Sequence, residues 1–289
     1  VNSLNSYEPM IKKLSVLLLL FASQLCYGGQ FNISMDEVQW DYQGSVFSCF
    51  LSMNYPNLGE ISFQRKAGDP LSLDISSGYL NKPSQIFVSK ISAPWNPKRL
   101  FPEIGYSTIK TAPGKLIRIE QGAESLLKGM ALGSWYKIRL PQEDESLSLI
   151  LSPIHFLPSA QKFSRCLTRL LPEGYSQLQS STLYFRSAMS GLSPEQKKKL
   201  GVIGRYVTAD PGIVAVLVDG YADATGQRLA NLQLSRVRAE HVEEELLLAG
   251  VKPGLLQVRA HGERDSIDSV RGSESNRRVV VRLVKKPVG

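Results

Sequence analysis

Residues 220–283 read GYADATGQRLANLQLSRVRAEHVEEELLLAGVKPGLLQVRAHGERDSIDSVRGSESNRRVVVRL, and the rest of the chain is best understood outward from them. An acid and a base, Asp223 and Arg238, stand at the centre of this stretch, fifteen residues apart. The run ahead of Asp223, Ile213 to Val218, is short and rich in β-branched residues, which reads as a buried strand ending in Asp219-Gly220-Tyr221. Arg238 lies within a helical recurrence of Leu234, Val237, Val242, Leu246 and Ala249. Gly250 supplies the helix stop, with Pro253 just beyond. A strand, a loop and a helix can thus deliver a carboxylate and a guanidinium to one pocket mouth. Such a mouth suits a ligand carrying both an ammonium and a carboxylate, because arginine grips a carboxylate with a planar fork and aspartate accepts from an ammonium. The residues alone leave open an ordinary salt bridge between the two.

The ordered pattern G-Y-A-D-x-x-G, N-x-x-L-S-x-x-R-A-x-x-V, H-G-E and N-R-R-V resembles the OmpA-like peptidoglycan-binding family over about residues 177–284. The resemblance implies that Asp223 and Arg238 bind the meso-diaminopimelate of the wall peptide, a zwitterionic side chain of the kind just inferred. Asn231 matches the family asparagine and is expected to order the loop. Thr225 is expected to offer a hydroxyl to the ligand. Arg277 and Arg278 match N-R-R-V, one expected to face the pocket and the other to pack. One departure follows Tyr184-Phe185. Many relatives place aspartates there, whereas this chain has Arg186, Ser187 and Ala188.

The remaining elements of this second domain, residues 173–289, fit an α+β fold in β-α-β-α-β order, with helices on one face of a mixed sheet. Leu178 to Phe185 is strand-like. Ser193-Pro194-Glu195-Gln196 has a capping-box spacing with proline at the first helical position, so a helix is expected from there to about Thr208. Strands are expected at Leu256 to Ala260 and Arg278 to Val284. Pro172-Glu173-Gly174 marks the boundary with what precedes.

Residues 29–172 show period-two alternation in short runs: Val46 to Leu51, Ile61 to Gln64, Leu71 to Ile75, Ile86 to Ile91, Leu116 to Ile119, Trp135 to Leu140 and Leu147 to Leu151. Asn57-Leu58-Gly59, Gly68-Asp69-Pro70 and Pro113-Gly114 punctuate them. Many short strands with turn residues between them indicate an all-β barrel or sandwich. A short helix is expected at Glu124 to Leu132, and a longer one closes the domain at about Ser159 to Leu171. No enzyme constellation stands out. Ser125-Leu126-Leu127-Lys128 matches S-x-x-K without its companion motifs, and His155, His241 and His261 have no metal-ligand spacing. Neither a metal nor a cofactor is expected.

Ahead of these domains, residues 1–28 read as a pre-sequence and a secretory signal peptide. Met10 is followed by Lys12 and Lys13, an apolar core from Leu14 to Ala22, and small residues at Gly28 and Gly29. The core is too short to span a membrane. Ser23-Gln24-Leu25-Cys26 lacks the small residues of a lipobox, so no lipid anchor and no membrane span are expected in the mature chain. The formal net charge of +8 suits a polyanionic envelope surface in an exported chain better than nucleic acid. Cys49 and Cys166 remain after export, an even pair in an oxidising compartment. A disulfide between them would close a loop of about 117 residues, and two separately buried thiols are the alternative.

Gln39-Trp40 ahead of Cys49-Phe50-Leu51, then Phe63 to Ala67, Leu71 to Ile75 and Ser92-Ala93-Pro94-Trp95-Asn96-Pro97, with a second cysteine on a helix before the OmpA-like domain, resemble the MotY family. Those are T-ring proteins of polar, sodium-driven flagellar motors. The resemblance implies a non-catalytic periplasmic component whose first domain attaches to the flagellar basal body and helps install stator proteins, while the second holds peptidoglycan. A general OmpA-like envelope-stability or secretion-associated protein is the alternative expectation.

Overall fold

The computed structural model describes residues 30–31, 33–78, 85–108, 116–140, 147–264, 267–268 and 273–287. The signal-peptide reading of residues 1–28 and the Pro113-Gly114 turn lie outside these. The described chain divides into two compact units. One takes in residues up to Gln39, Asn54–Ile61 and Asp74–Ile154; the other comprises Trp40–Met53, Ser62–Leu73 and everything from His155 onward.

The N-terminal part is built of strands. Strands β1 (Gln30–Phe31), β2 (Asp41–Gly44), β3 (Ser48–Tyr55), β4 (Gly59–Lys66), β5 (Ser72–Ser77), β6 (Gln85–Ile91), β7 (Glu103–Ser107) and β8 (Leu116–Ile119) precede helix α1 (Ala123–Ala131), and β9 (Trp135–Leu140) and β10 (Leu147–Leu151) follow it. They form two open five-stranded sheets, ordered β1-β10-β9-β6-β7 and β2-β3-β4-β5-β8, instead of one closed barrel. Pairing is antiparallel along β10-β9-β6-β7 and between β2 and β3, and parallel where β1 joins β10. Every strand anticipated from alternation is present. Strands β1, β2 and β7 are additional: β1 is two residues long, DYQG has a single apolar residue, and the alternation in EIGYS is limited to Ile104 and Tyr106. In the first unit the core takes Ile86, Val88, Ile138, Leu140, Leu149 and Leu151, all nearly or wholly buried.

Helix α2 (Phe156–Leu167) ends earlier than its sequence pattern suggests. The Arg169 amide turns back to the Cys166 carbonyl at 2.9 Å, and the Leu171 amide is taken by Val46 O at 2.9 Å, so the chain leaves the helix for the turn between β2 and β3. Trp40, Phe63 and Phe156 pack together, with Trp40 edge-on to Phe156 at 4.9 Å and Phe63 at 6.2 Å from both. Beside them Cys49 of β3 and Cys166 of α2 form a disulfide with Cα atoms 6.0 Å apart.

A helical turn, α3 (Tyr175–Leu178), then leads into β11 (Ser180–Tyr184), α4 (Pro194–Ala209), β12 (Ile213–Tyr221), α5 (Arg228–Leu248), β13 (Leu256–Gly262) and β14 (Arg278–Lys285). The anticipated cap of α4 is present: Ser193 Oγ accepts from the Gln196 amide at 3.3 Å, and Gln196 Oε1 accepts from the Ser193 amide at 2.8 Å. Helix α5 stops at Gly250, whose φ of 93° needs a residue without Cβ. The sheet order is β11-β14-β12-β13, with β12 and β13 parallel and the other pairs antiparallel.

One face of this sheet (Leu183, Val216, Val218, Val279, Val281 and Leu283) meets Leu200, Ile203 and Tyr206 of α4 and Ala239, Val242 and Leu246 of α5 in one buried cluster. At Gly220 the fit is so close that a Cβ would stand 2.2 Å from the Ser235 carbonyl oxygen. Phe47, next to β3, adds to this core and lies edge-on to Tyr206 at 5.4 Å.

A crosslink separated by 117 residues removes about 4–5 kcal/mol of denatured-chain entropy in the loop-closure picture. The Cys49→Ser/Cys166→Ser variant is therefore expected to unfold at markedly lower urea concentration than the wild type. Unfolded, unreduced wild-type protein should release no thiol from these positions. A thiol titration that finds both free, or an unchanged urea midpoint, contradicts this.

Candidate functional site

The ends of three elements converge at one edge of the second unit's sheet. Strand β12 runs out into Ala222 and Asp223. Arg277 leads into the antiparallel β14, so it enters at the same end, and Phe185 follows β11 there as well. Helix α5 passes behind them and contributes Arg238 from near its middle.

Arg238 is fully buried, with 0% of its surface exposed. Its Nε donates to Met189 O at 2.8 Å, Nη2 to Arg186 O at 3.1 Å and Nη1 to Tyr221 O at 3.4 Å. The guanidinium carbon lies 5.1 Å from the centre of the Phe185 ring. A guanidinium has five N–H donors, so these three bonds leave one on each terminal nitrogen. Burial pulls the Arg238 pKa down to about 10; Asp223 raises it and Arg277 lowers it further, and the group stays charged at neutral pH.

The carbonyls of Arg186 and Met189 come from the turn that carries Arg186-Ser187-Ala188, where this chain departs from the family pattern. Its Met189 amide closes on Arg186 O at 3.2 Å, and Ala188 sits at φ 54°, a left-handed conformation uncommon for a residue with a Cβ. In this chain the turn reaches Arg238 with main-chain oxygens.

Asp223 is also buried. Its Oδ1 accepts from the Thr225 amide at 3.0 Å and from the Thr225 hydroxyl, and its Oδ2 accepts from Arg277 Nη1 at 3.1 Å. Burial pushes its pKa up, but the bonds from Thr225 and then Arg277 outweigh that and leave it below the usual carboxylate range. Its ion-pair partner is thus Arg277, and Arg238 acts on it through space. Arg277 also donates from Nε to Phe185 O at 3.1 Å and from Nη2 to Glu274 at 3.1 Å. Arg278 packs, its guanidinium 4.0 Å from the centre of the Tyr221 ring. Asn231 donates to Glu263 Oε2 at 3.0 Å and so ties the first turn of α5 to the segment after β13. The structure therefore brings Asp223, Thr225, Arg238 and Arg277 into one charged centre. Arg278 and Asn231 brace its surroundings.

A second charged centre escaped the sequence reading. Asp219 of β12 is wholly buried. Its Oδ1 receives Arg259 Nε at 2.7 Å and His261 Nε2 at 2.9 Å, and its Oδ2 receives Arg282 Nη2 at 2.7 Å. The partners stand on β13 and β14, on the sheet face opposite the helices. Only strand register could have revealed this set: Asp219 lies directly beside Arg259 in the β12–β13 ladder. Burial alone would raise the Asp219 pKa, and the bonds from His261, Arg282 and Arg259 reverse that to a net lowering. Among the described residues no group of three or more His, Cys, Asp or Glu could hold a metal ion, and no helix is long and apolar enough to cross a membrane.

Comparison with known families places a MotY N-terminal domain at residues 31–172 and an OmpA family domain at residues 184–279. The second of these is similar to outer membrane protein A of Serratia odorifera, 33% identical over 98 residues, which is 34% of this chain and 40% of that protein. It is similar also to the peptidoglycan-associated lipoprotein of Pseudomonas putida, 32% identical over 105 residues, 35% of this chain and 62% of that one. The match therefore spans about two fifths to three fifths of these relatives' lengths. Among solved structures, the peptidoglycan-associated lipoprotein of Burkholderia pseudomallei aligns with 36% of this chain and 89% of its own at 23% identity and TM-score 0.34. The C-terminal domain of Helicobacter pylori MotB aligns with 37% of this chain and 86% of its own at 22% identity and TM-score 0.34.

The depressed carboxylates set an acid limit. A carboxyl whose folded-state pKa lies below its unfolded value, about 3.9 for aspartate, stabilises fully above that value and progressively less as pH falls through the folded one. Asp219 and Asp223 both behave so. The second unit is expected to lose stability from about pH 4 downward. Asp219→Asn should cost about 2 kcal/mol at pH 7, less than a fully enclosed pair because Arg259 and Arg282 reach solvent, and should flatten the acid dependence. Urea denaturation from pH 2 to 7 checks this; identical slopes for variant and wild type would contradict it.

Proposed function

We propose that this chain, which carries a MotY N-terminal domain followed by a C-terminal OmpA family domain, is a non-catalytic periplasmic component of a flagellar motor that anchors it to peptidoglycan. The observation that carries the reading is the pairing of these two domains in one chain. The charged centre of the second supplies a chemistry for the anchor. The ligand is the diaminopimelate side chain of the wall stem peptide. Its carboxylate takes the two remaining N–H groups of Arg238, and its ammonium sits against Asp223, held in place by Thr225 and Arg277. A carboxylate oxygen has lone pairs beyond those already engaged, so Asp223 accepts the ammonium without releasing Arg277.

Entry is by way of the exposed loop Thr225–Gln227 and the exposed Met189, whose turn covers Arg238. Movement of that turn opens the two remaining N–H groups of Arg238 to the ligand's carboxylate, whose charge-assisted bonds are roughly twice as strong as neutral ones. Two opposite charges held in fixed geometry select a zwitterion over a simple cation such as the lysine ammonium. In this reading residues 29–172 form the part that meets the basal body, and residues 173–289 the part that meets the wall.

Truncating Arg238 to alanine would strip three carbonyls of their donor, so Arg238→Lys and Asp223→Asn are the informative variants. Each is expected to fold, by circular dichroism, and to lose about tenfold or more in co-sedimentation with purified sacculi, in line with about 2–5 kcal/mol for breaking a desolvated charge pair. Sacculus binding equal to wild type in both variants sinks the site. A deletion strain should swim poorly while keeping its filaments; normal motility with detergent sensitivity would instead point to a general envelope role.

A further inference from the structure

Between the end of β6 and the start of β7 the first unit holds a cleft of about 390 Å³, walled by Lys90, Asn96, Arg99, Phe101, Leu132 and Trp135. The geometry points to this cleft as the seat of an acidic, apolar-anchored segment of a basal-body protein, an assignment that rests on the motor role proposed above.

Its charge is one-sided. No Asp or Glu lines it, and none of the ion pairs among the described residues involves Lys90, Lys98 or Arg99. The nearby Glu103 is committed to Arg139 at 2.6 Å. An incoming carboxylate therefore meets cations that no carboxylate among the described residues already neutralises.

Apolar surface adjoins it. Leu132, which lines the cleft, is 86% exposed; Trp95, edge-on to the lining Trp135, is 66% exposed, and Leu100, between the lining residues Arg99 and Phe101 in sequence, is 104% exposed. Single exposed apolar side chains are common. An exposed leucine and an exposed tryptophan beside a cleft lined by arginine and a second tryptophan make the composition of an interface centre.

The walls are also held in place. The Asn96 amide closes a turn on Ala93 O at 2.9 Å, and the Arg99 amide is pinned to Ser92 Oγ at 3.1 Å, so the loop bearing Pro94 and Pro97 is tied across its base. Trp95 stands edge-on to Trp135 at 5.7 Å, and the Lys90 ammonium lies 5.9 Å from the centre of the Phe101 ring. A surface with its anchors already positioned loses less entropy on binding. A concave site of this size takes side chains of a polypeptide, whereas a lipid surface is met by a convex apolar edge.

The test uses the purified full chain with hook–basal bodies that lack this protein and have been freed of peptidoglycan. Wild type should co-sediment, less so as salt rises. Lys90→Glu/Arg99→Glu and Trp95→Ser/Leu132→Ser should each reduce retention by about tenfold or more, while sacculus co-sedimentation, which reads the other domain and the integrity of the chain, stays unchanged. If the apolar variant melts early, the charge variant, confined to exposed side chains, decides. Wild type that fails to co-sediment overturns the motor role and this inference with it. Wild type and both variants retained equally overturn the cleft alone. The inference also falls if phosphatidylglycerol vesicles capture wild type and not the variants, or if the variants change the protein's own oligomeric state in analytical ultracentrifugation, which would make the occupant a lipid or a second copy.

Discussion

A guanidinium with no exposed surface must be satisfied by the protein itself, and the placement of Arg238 governs the architecture around it. Three main-chain carbonyls from two separate segments, Arg186 and Met189 on one side and Tyr221 on the other, converge on it. For them to do so, the turn after β11 must fold back over α5, and β12 must end where it does. The close contact of Gly220 with the Ser235 carbonyl sets the helix at the depth that lets Arg238 reach the strand end. The left-handed Ala188 is the local cost of aiming the turn's carbonyls inward. The result is a buried cation whose remaining donors are oriented in advance of any ligand, which is the condition for selective capture of an anion by a small module.

Two aspartates on one stretch of chain meet different fates. Asp219 and Asp223 are four residues apart and both buried, and both are kept ionised by arginines that arrive from β14 or its approach. Asp219 spends its oxygens on Arg259, His261 and Arg282, which fasten three neighbouring strands across the face without helices. Asp223 lies past the strand end, with a single arginine and a threonine, beside the buried Arg238. The first arrangement is closed, and the second has both a carboxylate and a guanidinium with bonding capacity to spare. That difference is why the proposed ligand site lies at Asp223 and not at Asp219.

The disulfide has a comparable organising role in the part before the OmpA family domain. Cys49 and Cys166 join β3 to α2 beside the Trp40–Phe63–Phe156 cluster, and the chain just past β2 sends Phe47 into the core of the helix-covered sheet. Residues from Trp40–Met53 and Ser62–Leu73 therefore share a compact unit with residues from His155 onward. A chain cut purely by sequence composition at Pro172 shows none of this, because proline and glycine mark where a segment turns and carry no information about what it then packs against.

Local chemistry was legible in advance wherever the signal is short-range. The cap at Ser193, the stop at Gly250, the β-branched run at Ile213 and the alternation in the early strands each depend on neighbours within a turn or two, so the sequence by itself determined the elements, their order and the presence of an acid and a base near one strand end. It also supplied the even cysteine pair. It missed β1, β2 and β7, which are strands because a partner strand pairs with them and which carry at most two alternating apolar residues of their own. What only the tertiary structure decided is who meets whom. Arg277 neutralises Asp223, Arg278 stacks on Tyr221, and main-chain carbonyls hold Arg238. Strand register and the direction of carbonyls are set by contacts dozens of residues apart, and no periodicity within a single segment encodes them.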